Sequence, residues 1–204
     1  MSVLKKRMYG EMTSEEKHFD TTMSFSVTVS GAIGSGCQHC LVPQGVDDDQ
    51  RIGREIVVNE LKIRGNLNWQ GPANFDTATN VYMEIWCDTQ CNGAAASVFD
   101  IYTSNQMGTC FENMDNVNRF YSLGRRVFSY VPGTLGAGGI PWYGKQYIDL
   151  SVKMQIPLIF NGATGAITEL TSNNIFTIWG RDDNTLSTAV VFFEGQSRIT
   201  FLDS

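Results

Sequence analysis

Alternation of apolar and polar residues runs through most of the chain, and each such run marks a half-buried strand. The longest covers residues 51–69, RIGREIVVNELKIRGNLNW, and its two halves disagree in phase. Ile52, Ile56 and Val58 share one parity, whereas Leu61, Ile63, Leu67 and Trp69 share the other. One extra residue must be absorbed near Asn59 and Glu60. A β-bulge does this by inserting a residue into one strand while pairing resumes on either side. In the second half Glu60, Lys62, Arg64, Asn66 and Asn68 make a wet, partly basic face opposite the buried one.

Seven further runs read as strands. In 19–30 the odd positions Phe19, Met23, Phe25, Val27 and Val29 are apolar, and the run ends at a GAIGSG turn. Residues 37–43 form a short strand closed by Pro43 and Gly45. Val81, Met83, Ile85 and Cys87 alternate with Tyr82, Glu84, Trp86 and Asp88, and 120–130 is a less regular fifth run. The cleanest alternation is 147–156, with Ile148, Leu150, Val152, Met154 and Ile156 on one face and Pro157 marking its end. Residues 174–180 and 188–201 supply the last two strands. Between the fourth and fifth runs, 94–102 is alanine-rich, with Val98, Ile101 and Tyr102 spaced for one helical face. Eight antiparallel strands joined by loops of uneven length predict the all-β class and a single two-sheet jelly roll with one short helix. Residues 1–17 show no apolar period and read as a mobile N-terminal arm, leaving 18–204 as the folded domain.

Composition narrows the possibilities. At 204 residues the chain can bury a core without staples, and 20 glycines, 12 phenylalanines and 18% charged residues suit a turn-rich, aromatic-rich β domain. A net charge of −6 predicts no strong grip on nucleic acid by the domain as a whole, so any such contact must be local. Five cysteines, an odd number, argue against a disulfide framework. With no apolar run of bilayer length and no apolar signal segment at the start, the expectation is a cytosolic or nuclear protein without membrane contact.

Candidate chemistry is sparse. Cys37, His39, Cys40, Cys87 and Cys91 have roughly zinc-like spacing, but neighbours on a strand point apart, and buried thiols are common core fillers. Asp47, Asp48 and Asp49, and likewise Asp182 with Asp183, are calcium candidates without the glycine-punctuated spacing of a calcium loop, which favours solvated acidic turns. Two histidines, no GxSxG and no phosphate-binding glycine loop predict a protein that is not an enzyme and needs no cofactor. Trp69, Trp86, Trp142, Tyr143 and Trp179 leave open a jelly-roll recognition domain that binds glycan, by stacking sugars on exposed rings, or a protein partner, working as a small oligomer.

The segments KHFDTTMSFSV, VPQG, QRIGREIVVNELKIRG, RFYSLGRRVFSY, NNIFTIWGRDD and SRITFLD resemble, in order, the capsid proteins of small circular single-stranded DNA viruses, whose coats are like that of satellite tobacco necrosis virus. The likeness runs over residues 17–203, and QG…QRIGREI is its most specific part. It implies strands B (19–30), C (37–43), D (51–69), E (80–88), F (119–130), G (145–156), H (174–180) and I (188–202), arranged as sheets BIDG and CHEF. It also implies self-assembly into an icosahedral shell of about sixty copies enclosing a single-stranded DNA genome, with sheet BIDG facing inward. Lys62, Arg64, Lys153 and Arg198 would then point at nucleic acid, assisted by Lys5, Lys6 and Arg7 in the arm. Loops at the fivefold end would bring Pro72, Phe75, Pro132, Trp142, Tyr143, Arg181 and Asp182 into subunit contacts. The protein would reside in the virion, and in the host cytoplasm or nucleus during assembly. In one respect the chain departs from the family: of the long basic arm only those three residues remain, so either the arm is missing from this sequence or the protein packages little nucleic acid, and the expected particles are empty or nearly so.

Overall fold

The computed structural model of the chain describes residues 15–34, 36–71, 79–91, 93–130, 142–182 and 190–203. Lys5, Lys6, Arg7, Pro72, Phe75 and Pro132 lie outside these residues. Among the described residues there are eight strands: β1 (Glu16–Ser26), β2 (Glu55–Gly71), β3 (Thr79–Asp88), β4 (Phe120–Tyr130), β5 (Trp142–Phe160), β6 (Leu170–Ser172), β7 (Asn174–Arg181) and β8 (Val190–Asp203). All pairings are antiparallel, in two sheets ordered β1-β8-β2-β5-β6 and β4-β3-β7. The first is the expected B-I-D-G order with a short strand added, and the second is F-E-H; together they form a two-sheet jelly roll. A four-residue helix, α1 (Val98–Ile101), lies between β3 and β4, and no helix among the described residues is long and apolar enough to cross a membrane.

Four expectations need correction. Segment 37–43 is not a continuous strand but touches β7 through one isolated bridge at Gln38, with His39 N donating to Ile175 O at 3.0 Å; a second bridge to β7, at Ala32, lies ahead of the segment. It does occupy the C position beside H. Its ladder is interrupted because Pro43 lacks an N–H and the segment turns inward to bury Cys37, Cys40 and Val42. β2 begins at Glu55 rather than 51: Ile52 is exposed, and Arg51 is the fully buried residue, donating to Val42 O at 3.1 Å with its guanidinium 4.1 Å from the Phe160 ring. β5 continues through Pro157 to Phe160, since the side of β5 away from β2 carries no partner strand until Ile159 and a missing N–H is tolerated there. Finally, β1 starts at Glu16, inside the stretch read as an arm, and Lys17 is buried with its ammonium 3.5 Å from Asp203.

The bulge falls where the phase slip places it. Val58 faces Phe201 on β8 and Glu60 faces Thr200, so β2 spends one more residue than β8 over this step, and the register with β5 shifts at the same point. Ile56 and Val58 before the bulge and Leu61, Ile63, Leu67 and Trp69 after it are consequently all buried.

Between the sheets the central contact is aromatic. The Trp179 ring of β7 stacks on Phe193 of β8 at 4.8 Å, and Phe25 and Phe128 pack around Trp179. Phe193 needs bare backbone beneath it. Gly65 and Gly195 pair directly across β2 and β8, and a Cβ at Gly65 would sit 2.6 Å from the Phe193 ring and 2.4 Å from Glu194 O. Next to the aromatics lies a buried polar group: His39 Nδ1 is 2.8 Å from Ser197 Oγ and Nε2 is 3.2 Å from Thr177 Oγ1. On the outer face of β3 and β7 the 89–119 connection adds a second apolar cluster, in which Val98, Ile101, Tyr102 and Met107 cover Trp86, Phe176 and Ile178. This is why Glu84, Trp86 and Asp88, read as outward, are buried. Glu84 is held there by the Trp86 indole N–H at 3.0 Å, the Tyr102 hydroxyl and Arg125 at 3.2 Å.

Two predictions follow from this core. Replacing Phe193 by alanine removes the ring that fills the glycine slot and is expected to cost about 3–5 kcal/mol in denaturant unfolding. Burial also pushes the His39 imidazole down to about 3 from an ordinary 6.5. The unfolded chain therefore takes up a proton that the folded chain refuses, and stability falls as pH drops below 6.5. Between pH 7.5 and 5 this amounts to about 2 kcal/mol. A His39→Gln variant should lose that part of the pH dependence, and equal slopes for variant and wild type in pH-resolved melting would contradict it.

Candidate nucleic-acid interface

The strand registers allow the outward face of the five-stranded sheet to be read row by row. Asp20, Arg198, Lys62 and Ser151 lie in one row across β1, β8, β2 and β5. The next row on one side is Thr22, Gln196, Arg64 and Asp149, and on the other His18, Thr200, Glu60 and Lys153. Lys62, Arg64, Lys153 and Arg198 are thus brought together on one wet face. Asp20, Lys62, Arg64, Gln196 and Arg198 line a shallow depression of about 220 Å³ there.

Each of the four cations already has a carboxylate. Arg198 donates twice to Asp20, at 2.6 Å from both Nε and Nη2, and this holds the Asp20 carboxyl below its ordinary range. Arg64 Nε donates to Asp149 at 2.9 Å. Glu60 is shared by Lys62 at 3.0 Å and Lys153 at 3.1 Å and also accepts from the Ser151 hydroxyl. That hydroxyl, with the two lysines, brings the Glu60 carboxyl down to about 2 from 4.5. The carboxylates were the residues missed when cations alone were sought. Alternation assigns Glu60 and Asp149 to the polar face, but which base each meets depends on the strand order.

The pairs differ in what they can yield. Arg64 and Arg198 are about half exposed or more, and exposed ion pairs contribute only about 0–1 kcal/mol. An incoming phosphate, which accepts the same guanidinium hydrogen bonds, can replace the carboxylate at small cost. Glu60 is buried beneath its two lysines and is the firmest of the three acids.

The other named residues are dispersed. Tyr143 lies within β5, exposed on the same wet face rather than in a loop, and Trp142 starts that strand. Asp182 is occupied inside the chain, accepting from Asn80 N at 2.8 Å, Asn80 Nδ2 at 2.6 Å and the Tyr82 hydroxyl at 3.1 Å. The Arg181 N–H donates to Thr28 O. Asp47, Asp48 and Asp49 are exposed on a turn, and among the described residues no three histidine, cysteine, aspartate or glutamate side chains are grouped to hold a metal ion. Cys37, Cys40, Cys87 and Cys91 are buried thiols, raised above their ordinary range by desolvation.

No protein-family profile matches the chain, and no curated protein does. Among solved structures, one of Desmodium yellow mottle tymovirus is 12% identical, with 91% of this chain and 86% of that one aligned and a TM-score of 0.27. One of the Gx strain of infectious bursal disease virus is 10% identical, with 93% of this chain and 34% of that one aligned and a TM-score of 0.32. With superpositions this loose, the ground for the fold is the pairing of the two sheets.

Removing the shared acid should expose its two lysines. A Glu60→Gln variant is expected to bind a single-stranded oligonucleotide more tightly than wild type. The slope of log affinity against log salt should steepen by roughly 0.7 for each lysine released. Titration at several salt concentrations measures both; an unchanged slope would mean that the lysines do not meet phosphate.

Proposed function

We propose that the chain is a structural coat protein that assembles with copies of itself into a closed icosahedral shell around single-stranded nucleic acid. The smallest such shell, about sixty copies, suits a single jelly roll of this size. The observation that carries the reading is the gathering of Lys62, Arg64, Lys153 and Arg198 on one face of the B-I-D-G sheet, the face that the capsid resemblance turns inward. The resemblance extends to single-stranded DNA as cargo and to the virion as location. No catalytic residue is assigned, and no cofactor or metal is needed.

The same face sets the strength of the grip. Four cations stand against Asp20, Glu60 and Asp149, so the local excess of positive charge is small, and the chain as a whole carries −6. Contacts to phosphate in this setting are sequence-independent and salt-sensitive. The reading therefore assigns the protein enclosure of a lightly held genome. The glycan-binding alternative loses three of its five rings, because Trp69, Trp86 and Trp179 are buried, while Tyr143 stays exposed.

Light scattering and negative-stain imaging of the purified protein should show uniform closed particles whose absorbance ratio is close to that of protein alone. Small discrete oligomers at every concentration would overturn the coat reading. The variant with alanine at Lys62, Arg64, Lys153 and Arg198 should form shells that hold still less nucleic acid, and unchanged content per particle would refute the inward role of the face.

A further inference from the structure

The wet face has a second zone with different chemistry. Past Arg64 the ion-paired rows stop, and the next rows read Ser24, Glu194, Asn66 and Tyr147, then Ser26, Phe192, Asn68 and Lys145, then Val190, Gln70 and Tyr143. Along β5 the outward positions are therefore Tyr143, Lys145 and Tyr147, in succession at every second residue. Tyr143 is 71% exposed and Tyr147 63% exposed, and Phe192 is half-buried on the neighbouring strand. Glu194 is the one carboxylate in these rows.

Two large rings standing off a flat sheet among amides and hydroxyls are poorly placed to stabilise this fold. The core is closed on the other face by Ile148, Leu67 and Trp69. An exposed aromatic with a polar tip is, by contrast, suited to a partner that is flat and apolar on its faces and wet at its edges. Consecutive outward positions on a strand are about 7 Å apart, so Tyr143, Lys145 and Tyr147 present ring, cation and ring in a line. Unpaired nucleobases have such faces, and proteins that bind single strands combine a cationic track for the backbone with aromatic rings on which bases stack. In a duplex those faces are already occupied. A neutral sugar would also stack on a tyrosine but would have no use for Lys145 or for the cations that begin one row away at Arg64.

We propose that Tyr143 and Tyr147, with Lys145 between them, form a stacking platform for the unpaired bases of single-stranded nucleic acid, whose phosphates continue onto Arg64 and the ion-paired rows. This rests on the coat-protein reading, which turns the face toward the cargo. The two zones then divide the work, the tyrosines holding bases and the cations holding phosphates. Discrimination of single strands from duplexes belongs to the tyrosines.

Fluorescence anisotropy on the purified chain dissociated into subunits, so that the inward face is accessible, tests the division with three labelled probes of equal length: oligothymidylate, an abasic deoxyribose-phosphate chain and a duplex. The purified chain should bind oligothymidylate about tenfold or more tighter than the abasic chain. The Tyr143→Ala/Tyr147→Ala double variant should bind the two equally, with its salt slope unchanged, and Tyr143→Phe/Tyr147→Phe should retain the preference. Lys62→Ala/Arg64→Ala should instead flatten the slope and keep the preference. Both tyrosines are exposed, and circular dichroism verifies that the variants fold. Equal, salt-sensitive binding of oligothymidylate and abasic chain by wild type would overturn the platform while leaving the phosphate contacts standing. Wild type that binds neither overturns both readings. An alanine double variant that keeps the preference for bases, or binding of a neutral oligosaccharide in place of the oligonucleotide, overturns the platform.

Discussion

The single extra residue in β2 between Val58 and Glu60 is the constraint on which the rest depends. Side chains on a strand alternate with a period of two, so an uninterrupted strand could bury Ile56 and Val58 or Leu61 and Ile63, but not both sets. The bulge reconciles them. It also decides what faces outward beyond the slip: Glu60, Lys62, Arg64, Asn66 and Asn68 all follow from it. A strand without the bulge would present Leu61, Ile63, Leu67 and Trp69 to solvent and would drive Lys62 and Arg64 into the core.

Once β2 is committed, its neighbours are held by close fits. Gly65 and Gly195 face each other with no side chains on the core side, and Phe193 fills the space and stacks on Trp179 of the opposite sheet. A buried tryptophan on one sheet thus reads the absence of side chains on the other. Ends of the sandwich are tied by buried charge instead: Lys17 meets Asp203, whose carboxylate also accepts from Ile52 N at 2.6 Å, while Arg51 donates to three backbone carbonyls. Removing one partner from such a pair leaves an uncompensated charge out of water, so these contacts restrict where the chain can run.

On the wet face the same geometry would limit the affinity for the proposed cargo. A cluster of four cations with no acids would repel itself and depend on cargo for its stability. With Asp20, Glu60 and Asp149 interleaved, the cations of the sheet are already ion-paired, and under the proposed function a phosphate would have to displace carboxylates that are themselves weakly held at Arg64 and Arg198. The proposed stacking on the aromatic rows beside it would add contacts that salt does not screen.

Alternation by itself determined the strands of β1, β2, β3, β5 and β8, the phase slip and the outward parity of Lys62, Arg64, Lys153 and Arg198, because period-two burial is a local property that a short window records. It also separated the inward and outward residues of β5. Only the tertiary structure decided the remainder. The pairing of Arg198 with Asp20, or of Lys153 with Glu60, joins residues 178 and 93 positions apart, and no local pattern encodes the strand order that makes them neighbours. Glu84 and Asp88 alternate as if exposed, yet they are buried because the 89–119 connection folds back over their face. Arg51 opens the longest alternating run in the sequence, yet it is held in the interior by three carbonyls, two from the β1–β2 connection and one from the β5–β6 loop. Local sequence specifies which side of a strand is apolar. What covers that side, and which charge meets which, depends on contacts between distant segments and is decided only when the sheets close.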